Sequence, residues 1–225
     1  MFAGVGCQGA EDAWYLTGLD FEMAKLRGED VTRGCAGIWK CFDQIQRLLV
    51  YFLLEAGGFP NGILNAYRNF HERVRYHNSV GAGLGGPHRK VCSIPQGCPL
   101  SMTIVAHLFH PRVRLMKAHS VKPRGLADDL TITAIGDNHE RRCRDALEAT
   151  FYYLMDLGAK PAPKKCFTFS TNPDTGFRLA HHYWQTLGAQ RPILLMRAPF
   201  EDFFVSMLRN YLIDSFLTIR CRQIH

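Results

Sequence analysis

Apolar residues along the chain fall into short stretches of two different periods. Over residues 11–26, Trp14, Tyr15, Leu19, Met23 and Leu26 recur at mixed helical spacing, and Gly28 closes the stretch. Residues 36–42, AGIWKCF, form a run short enough for a buried strand, with Asp43 placed to cap the next helix. That helix carries Ile45, Leu48, Leu49, Phe52 and Leu53 as its stripe and stops at Gly57-Gly58, with Pro60 beyond. A shorter helix is expected over 61–70. Across 72–92 the period is lost: Val74, Tyr76 and Asn78-Ser79 precede the glycine-rich GAGLGGPHRK and then Val91-Cys92, which reads as a hairpin. A long helix over 100–119 holds Ile104, Val105, Leu108, Val113, Leu115 and Met116, with Pro111 expected to kink or divide it. Residues 125–135, GLADDLTITAI, place two apolar arms around a polar pair, a second hairpin. A helix over 140–157 ends at Gly158, and CFTFS (166–170) is strand-like. Helices alternate with hairpins and not with βαβ units, so the expected class is α+β with a mostly antiparallel sheet.

Composition narrows the function only a little. The chain has 225 residues, 47% hydrophobic and 21% charged, which excludes a disordered or fibrous protein. Lys+Arg outnumber Asp+Glu by 27 to 20, giving a net charge of +7, compatible with a nucleic-acid partner. The eight cysteines lack C-x-x-C spacing and read as reduced thiols of an intracellular, non-secreted protein. No secretory signal opens the sequence, and its longest apolar run, 48–54, is far short of a membrane span.

Two segments carry candidate chemistry. Asp128-Asp129 sits at the tip of the second expected hairpin. Neighbouring residues of a strand point to opposite faces, so two adjacent acids share a site only where the chain turns. Crowded carboxylates repel, and a hard divalent cation such as Mg²⁺ or Mn²⁺ is their natural neutraliser. In SIPQGCPLSM (93–102), Pro95 and Pro99 stiffen the backbone, Gly97 permits close approach, and Gln96 offers an amide at the mouth of a helix.

Taken together and in order, these segments resemble the palm of reverse transcriptases, above all those of non-LTR retrotransposons and group II introns. IPQGCPLSM is similar to motif B, and LADDLTI to motif C, with Leu126 where the family usually has tyrosine. GIWKCFDQI resembles motif A and GAKPAPKKC motif D, while FAGVGCQGAEDAWYLTGLDFEMA resembles the preceding fingers segment. The likeness spans roughly residues 2–190. It implies partial fingers over 1–35 and a right-hand polymerase palm over 36–190, whereas the tail over 191–225 diverges from the family and reads as lacking a thumb. It also implies two-metal addition of dNTPs to a primer 3′-hydroxyl on an RNA template. Asp128 and Asp129 would be metal ligands and catalytic, and Gln96 and Gly97 would contact the nucleotide. Phe42 would exclude a 2′-hydroxyl, and Lys165 (or the adjacent Lys164) would protonate the pyrophosphate.

One position breaks the pattern. Aligning Ile38, Lys40, Phe42 and Asp43 with motif A puts the metal-bridging aspartate at position 37, which is Gly37. Weak Mg²⁺ binding and little polymerisation are therefore expected, as from a fragment or degenerate copy of a retroelement protein. The other expectation is an inactive palm that binds nucleic acid or a partner supplying the missing fingers and thumb. Basic residues cluster at Arg68, Arg73, Arg75, Arg89 and Lys90, at Arg112, Arg114, Lys117, Lys122 and Arg124, and at Arg141, Arg142 and Arg144. Tyr67, Phe70 and Tyr76 interleave with the first cluster, as an RNA or DNA contact would require. A membrane partner is not expected, and the nucleus or the cytoplasm is the expected compartment. The tail, with Phe200, Phe203, Phe204, Met207 and Leu208, reads as an amphipathic helix against the palm.

Overall fold

A computed structural model describes residues 9–179 apart from Gln96; the expected tail helix and the His181-His182 pair fall outside them. The elements run α1 (Ala10–Leu26), β1 (Val31–Gly37), α2 (Cys41–Gln44), α3 (Arg47–Ala56), α4 (Asn61–Arg73), β2 (Ser79–Val80), β3 (Gly83–Leu84) and α5 (Ser101–Ala118). They continue as β4 (Lys122–Leu126), β5 (Asp129–Ile135), α6 (His139–Asp156), a 3₁₀ turn (Pro163–Lys165), β6 (Phe167–Ser170) and α7 (Pro173–Arg178). Four strands pair antiparallel in the order β4-β5-β1-β6, and β2-β3 is a separate small hairpin. The α+β class with an antiparallel sheet is thus observed. Among the described residues no helix is long and apolar enough to cross a membrane.

The sheet has two distinct faces. On one, Ile132 and Ala134 of β5 pack with Met116 of α5, with Cys143, Ala146 and Leu147 of α6, and with Val121 just before β4. Gly34 lets α6 approach: a Cβ there would lie 2.6 Å from Leu147 Cδ1. A larger cluster at the other end of β1 joins Ala36, Ile38 and Leu130 to Tyr51, Leu54, Ile104, Val105, Leu108 and Phe109. On the opposite face α1 covers one end only, where Phe21 stacks on Phe169 at 5.6 Å and packs on Val31 and Ile135. Asp20 ties α1 to β4 through Lys122 (2.7 Å) and Arg124. By strand alternation Arg33, Cys35, Gly37, Asp129 and Thr131 share this face with Val31.

Several expectations shift. The strand is Val31–Gly37, not 36–42, and it is buried along its whole length, so it shows no alternating pattern. Asp43 lies inside α2, and α3 begins later, after Gln46. In α3 the inward face is Arg47, Val50, Tyr51 and Leu54, while Leu48 and Phe52 of the expected stripe are exposed. In α1 it is Thr17, Phe21 and Ala24 that are buried, and Tyr15, Leu19, Met23 and Leu26 are exposed. Helix α5 runs unbroken through Pro111, and α4 extends to Arg73.

Candidate active-site cleft

The second hairpin turns at Ala127-Asp128, so Asp128 is the turn residue and Asp129 opens β5, opposite Leu126. The two acids are therefore not both at the tip, as the sequence had suggested. Ala127 has φ 52°, a left-handed conformation that costs an alanine energy and is held by the flanking ladder. On its other side Asp129 pairs with Gly37, the last residue of β1. The chain leaving β1 then crosses the hairpin: Ile38 N–H donates to Asp128 C=O (3.3 Å) and Trp39 N–H to Lys160 C=O (2.9 Å).

The segment containing Lys165 is stitched to the same place. Ala162 N–H donates to Gly37 C=O, and Lys165 N–H to Ala162 C=O, both at 2.8 Å. Lys165 thus lies across Gly37, and its Nζ donates to Asp128 Oδ2 at 3.0 Å. This hydrogen bond raises the lysine's pKa above its ordinary value, so the ammonium is retained. Asp129 is also shifted upward, first by partial desolvation and then by the neighbouring Asp128 charge, with Lys165 opposing. Burial pushes the thiols of Cys35 and Cys41 up to about 12, so neither is a nucleophile at neutral pH.

The glycine-proline loop reaches this region by way of α2. Ile94 N–H donates to Phe42 C=O and Ser93 N–H to Ile45 C=O, both at 2.9 Å. Gly97 has φ 87°, where a side chain would be strained. A cleft of about 720 Å³ results, lined by Trp39, Lys40, Phe42, Gly97, Asp128 and Lys165 among others. That volume lies within the range of small-molecule sites. Phe42 is half-buried, one edge on the core and one on the cleft. Of the expected site residues, Phe42, Gly97, Asp128 and Lys165 line one cleft and Asp129 adjoins it; Gln96 lies outside the described residues. Neither the models of known protein families nor the curated proteins include a match to this chain.

A divalent metal is the cofactor that the sequence resemblance implies. The donors here fit a pair of such ions poorly. Position 37 offers no carboxylate, Asp128 already accepts from an ammonium, and no three acidic, histidine or cysteine side chains converge among the described residues.

Arg47 is a residue that the sequence pattern hid. It is 6% exposed, makes no ion pair among the described residues, and donates to Ser93 C=O (2.9 Å), His71 C=O (3.1 Å) and Cys92 C=O (3.1 Å). It therefore fastens both ends of the 72–92 arm and the start of the glycine-proline loop. Beside it, burial and the guanidinium charge push the His71 pKa down to about 4. The signal available in the sequence was a charged residue directly before the apolar run 48–54.

The basic clusters separate into surface and structure. Arg73, Arg75 and Arg89 are exposed with no ion pair among the described residues. Lys90 lies over the Tyr76 ring at 5.0 Å and near Asp43 at 3.8 Å. Arg112, by contrast, is fully buried against Thr150, Arg124 holds Asp20, and Arg142 donates to the carbonyls of Ser120, Ile135 and Asp137.

Proposed function

We propose that this chain is a reverse-transcriptase-like palm that binds the recessed end of an RNA–DNA primer–template, with a deoxynucleotide in the cleft, and extends it little or not at all. The observation that carries this reading is convergence. Segments resembling motifs A, B, C and D are distant in sequence, yet Phe42, Gly97, Asp128 and Lys165 line a single cleft. In this reading Phe42 presents an aromatic edge to the sugar and leaves no room for a 2′-hydroxyl. Gly97 lets the backbone approach a base pair closely, and Lys165 supplies positive charge to phosphate oxygens. The exposed Arg73, Arg75, Arg89 and Lys90 supply contacts to the nucleic-acid backbone.

Binding is favoured over polymerisation by Gly37 and by the ammonium on Asp128, because phosphoryl transfer rests on electrostatic stabilisation that two carboxylates without firmly held metal ions do not provide. A recessed hybrid should bind in a salt-dependent manner, with no Mg²⁺-dependent primer extension by the same preparation. Absence of hybrid binding at low salt would refute the proposal; robust extension would favour the polymerase reading, which the intact Asp128-Asp129 hairpin supports.

A further inference from the structure

Two independent observations meet at the end of β1. The first is register. Gly37 stands directly opposite Asp129, so an acidic side chain at 37 would join the carboxylates of residues 128 and 129. The second is packing. A Cβ at position 37 would overlap Lys165 Cβ and lie 2.9 Å from Cδ, so the lysine stem occupies the volume that a side chain at 37 needs. The stem is aimed by backbone: the turn before it is fastened to Gly37 C=O through Ala162 N–H at 2.8 Å. The ammonium then ends 3.0 Å from Asp128 Oδ2. An ammonium has three N–H donors, and one of them meets Asp128, which leaves two for a ligand in the cleft that Lys165 lines.

We infer that Gly37 and Lys165 are a matched pair: the glycine admits the lysine stem, and the ammonium serves as a built-in counter-ion on Asp128 where a divalent cation would otherwise sit. The cleft then receives phosphate oxygens through an ammonium, without a metal. This deepens the proposed nucleotide-binding reading, and its claim about cation occupancy stands apart from nucleic-acid affinity.

The test is titration of the full chain with Mn²⁺, following the free ion by electron paramagnetic resonance, in the absence of nucleic acid. The wild type should take up Mn²⁺ only at concentrations on the order of a millimolar or above, and Lys165→Gln and Lys165→Met should each bind at least about tenfold more tightly. Gly37→Asp combined with Lys165→Gly, which removes the overlapping stem, should bind more tightly still. Equal affinity in the wild type and in both neutral variants overturns the inference. So does a wild-type site already filled at tens of micromolar, a result that needs no variant to fold. In parallel, a recessed hybrid should bind the wild type at least as well in EDTA as in Mg²⁺, whereas loss of binding in EDTA counts against the inference. Absence of hybrid binding in both buffers refutes the nucleic-acid reading, and the Mn²⁺ titration still decides the role of Lys165.

Discussion

At Gly37, the absence of a side chain leaves the space beside the cleft to the stem of Lys165. Its lack of a Cβ is what lets Lys165 cross β1 and reach Asp128. Gly37→Asp alone is therefore not a clean restoration of a missing carboxylate. It should destabilise the fold by about 1–3 kcal/mol through overpacking, a loss that Lys165→Gly relieves, measurable by denaturant unfolding of the single and double variants. Asp129 gives a second test. An acid whose pKa is raised on folding supports the fold while protonated, and that support is lost as pH climbs through the raised value. Ionised Asp129 is thus a cost at neutral pH. Asp129→Asn should raise the melting temperature at about pH 7 and leave it unchanged near pH 3, where wild-type Asp129 is protonated in both states.

Among the elements, α3 anchors the start of the loop that carries Gly97 into the cleft. Arg47 reaches from it to three backbone carbonyls, and Phe42 and Ile45 just before it hold the glycine-proline loop. Arg47→Met would leave those carbonyls buried without their charged donor and should cost about 3 kcal/mol in denaturant unfolding. His71 adds a pH signature to the same junction. Its folded pKa of about 4 lies below the ordinary 6.5, so the native state resists protonation that the unfolded chain accepts. Stability should fall as pH drops through the window from about 6.5 to about 4, and His71→Leu should flatten that part of a melting-temperature profile.

These elements also show what the sequence could and could not convey. The hairpins, α4, α5, α6 and β6 were legible because turn residues and periodic apolar positions bound them. The inward faces of α1 and α3 were not. Both helices carry apolar residues on several sides, so periodicity alone could not choose between Leu48 and Arg47 as the buried position. Strand β1 was displaced because a central strand buried on both faces has no alternation, and its polar Thr32 and Arg33 break any apolar run. The candidate site was legible as an ordered set of segments, Gly37 included. That Lys165 fills the space beside Gly37 could emerge only from the register and the turn that aim it.

For the whole molecule, the surplus of seven positive charges is less informative than its distribution. Arg112, Arg124 and Arg142 are consumed by packing and internal hydrogen bonds, whereas Arg73, Arg75 and Arg89 remain on the exposed surface of α4 and the 72–92 arm. Replacing those three by alanine should weaken hybrid binding and lower the slope of log affinity against log salt by about 1 for each phosphate left without its cation. The same replacement should leave the melting temperature nearly unchanged, because these side chains support no buried group. The central claim, that the cleft recognises a primer–template end, is tested most directly by fluorescence anisotropy with a labelled RNA–DNA hybrid. Binding of a recessed 3′ end is compared with that of a blunt hybrid of equal charge, with heparin as competitor. The account predicts tighter, heparin-resistant binding of the recessed end that weakens in Phe42→Ala. Equal affinity for both ends, or complete displacement by heparin at stoichiometric charge, would contradict it.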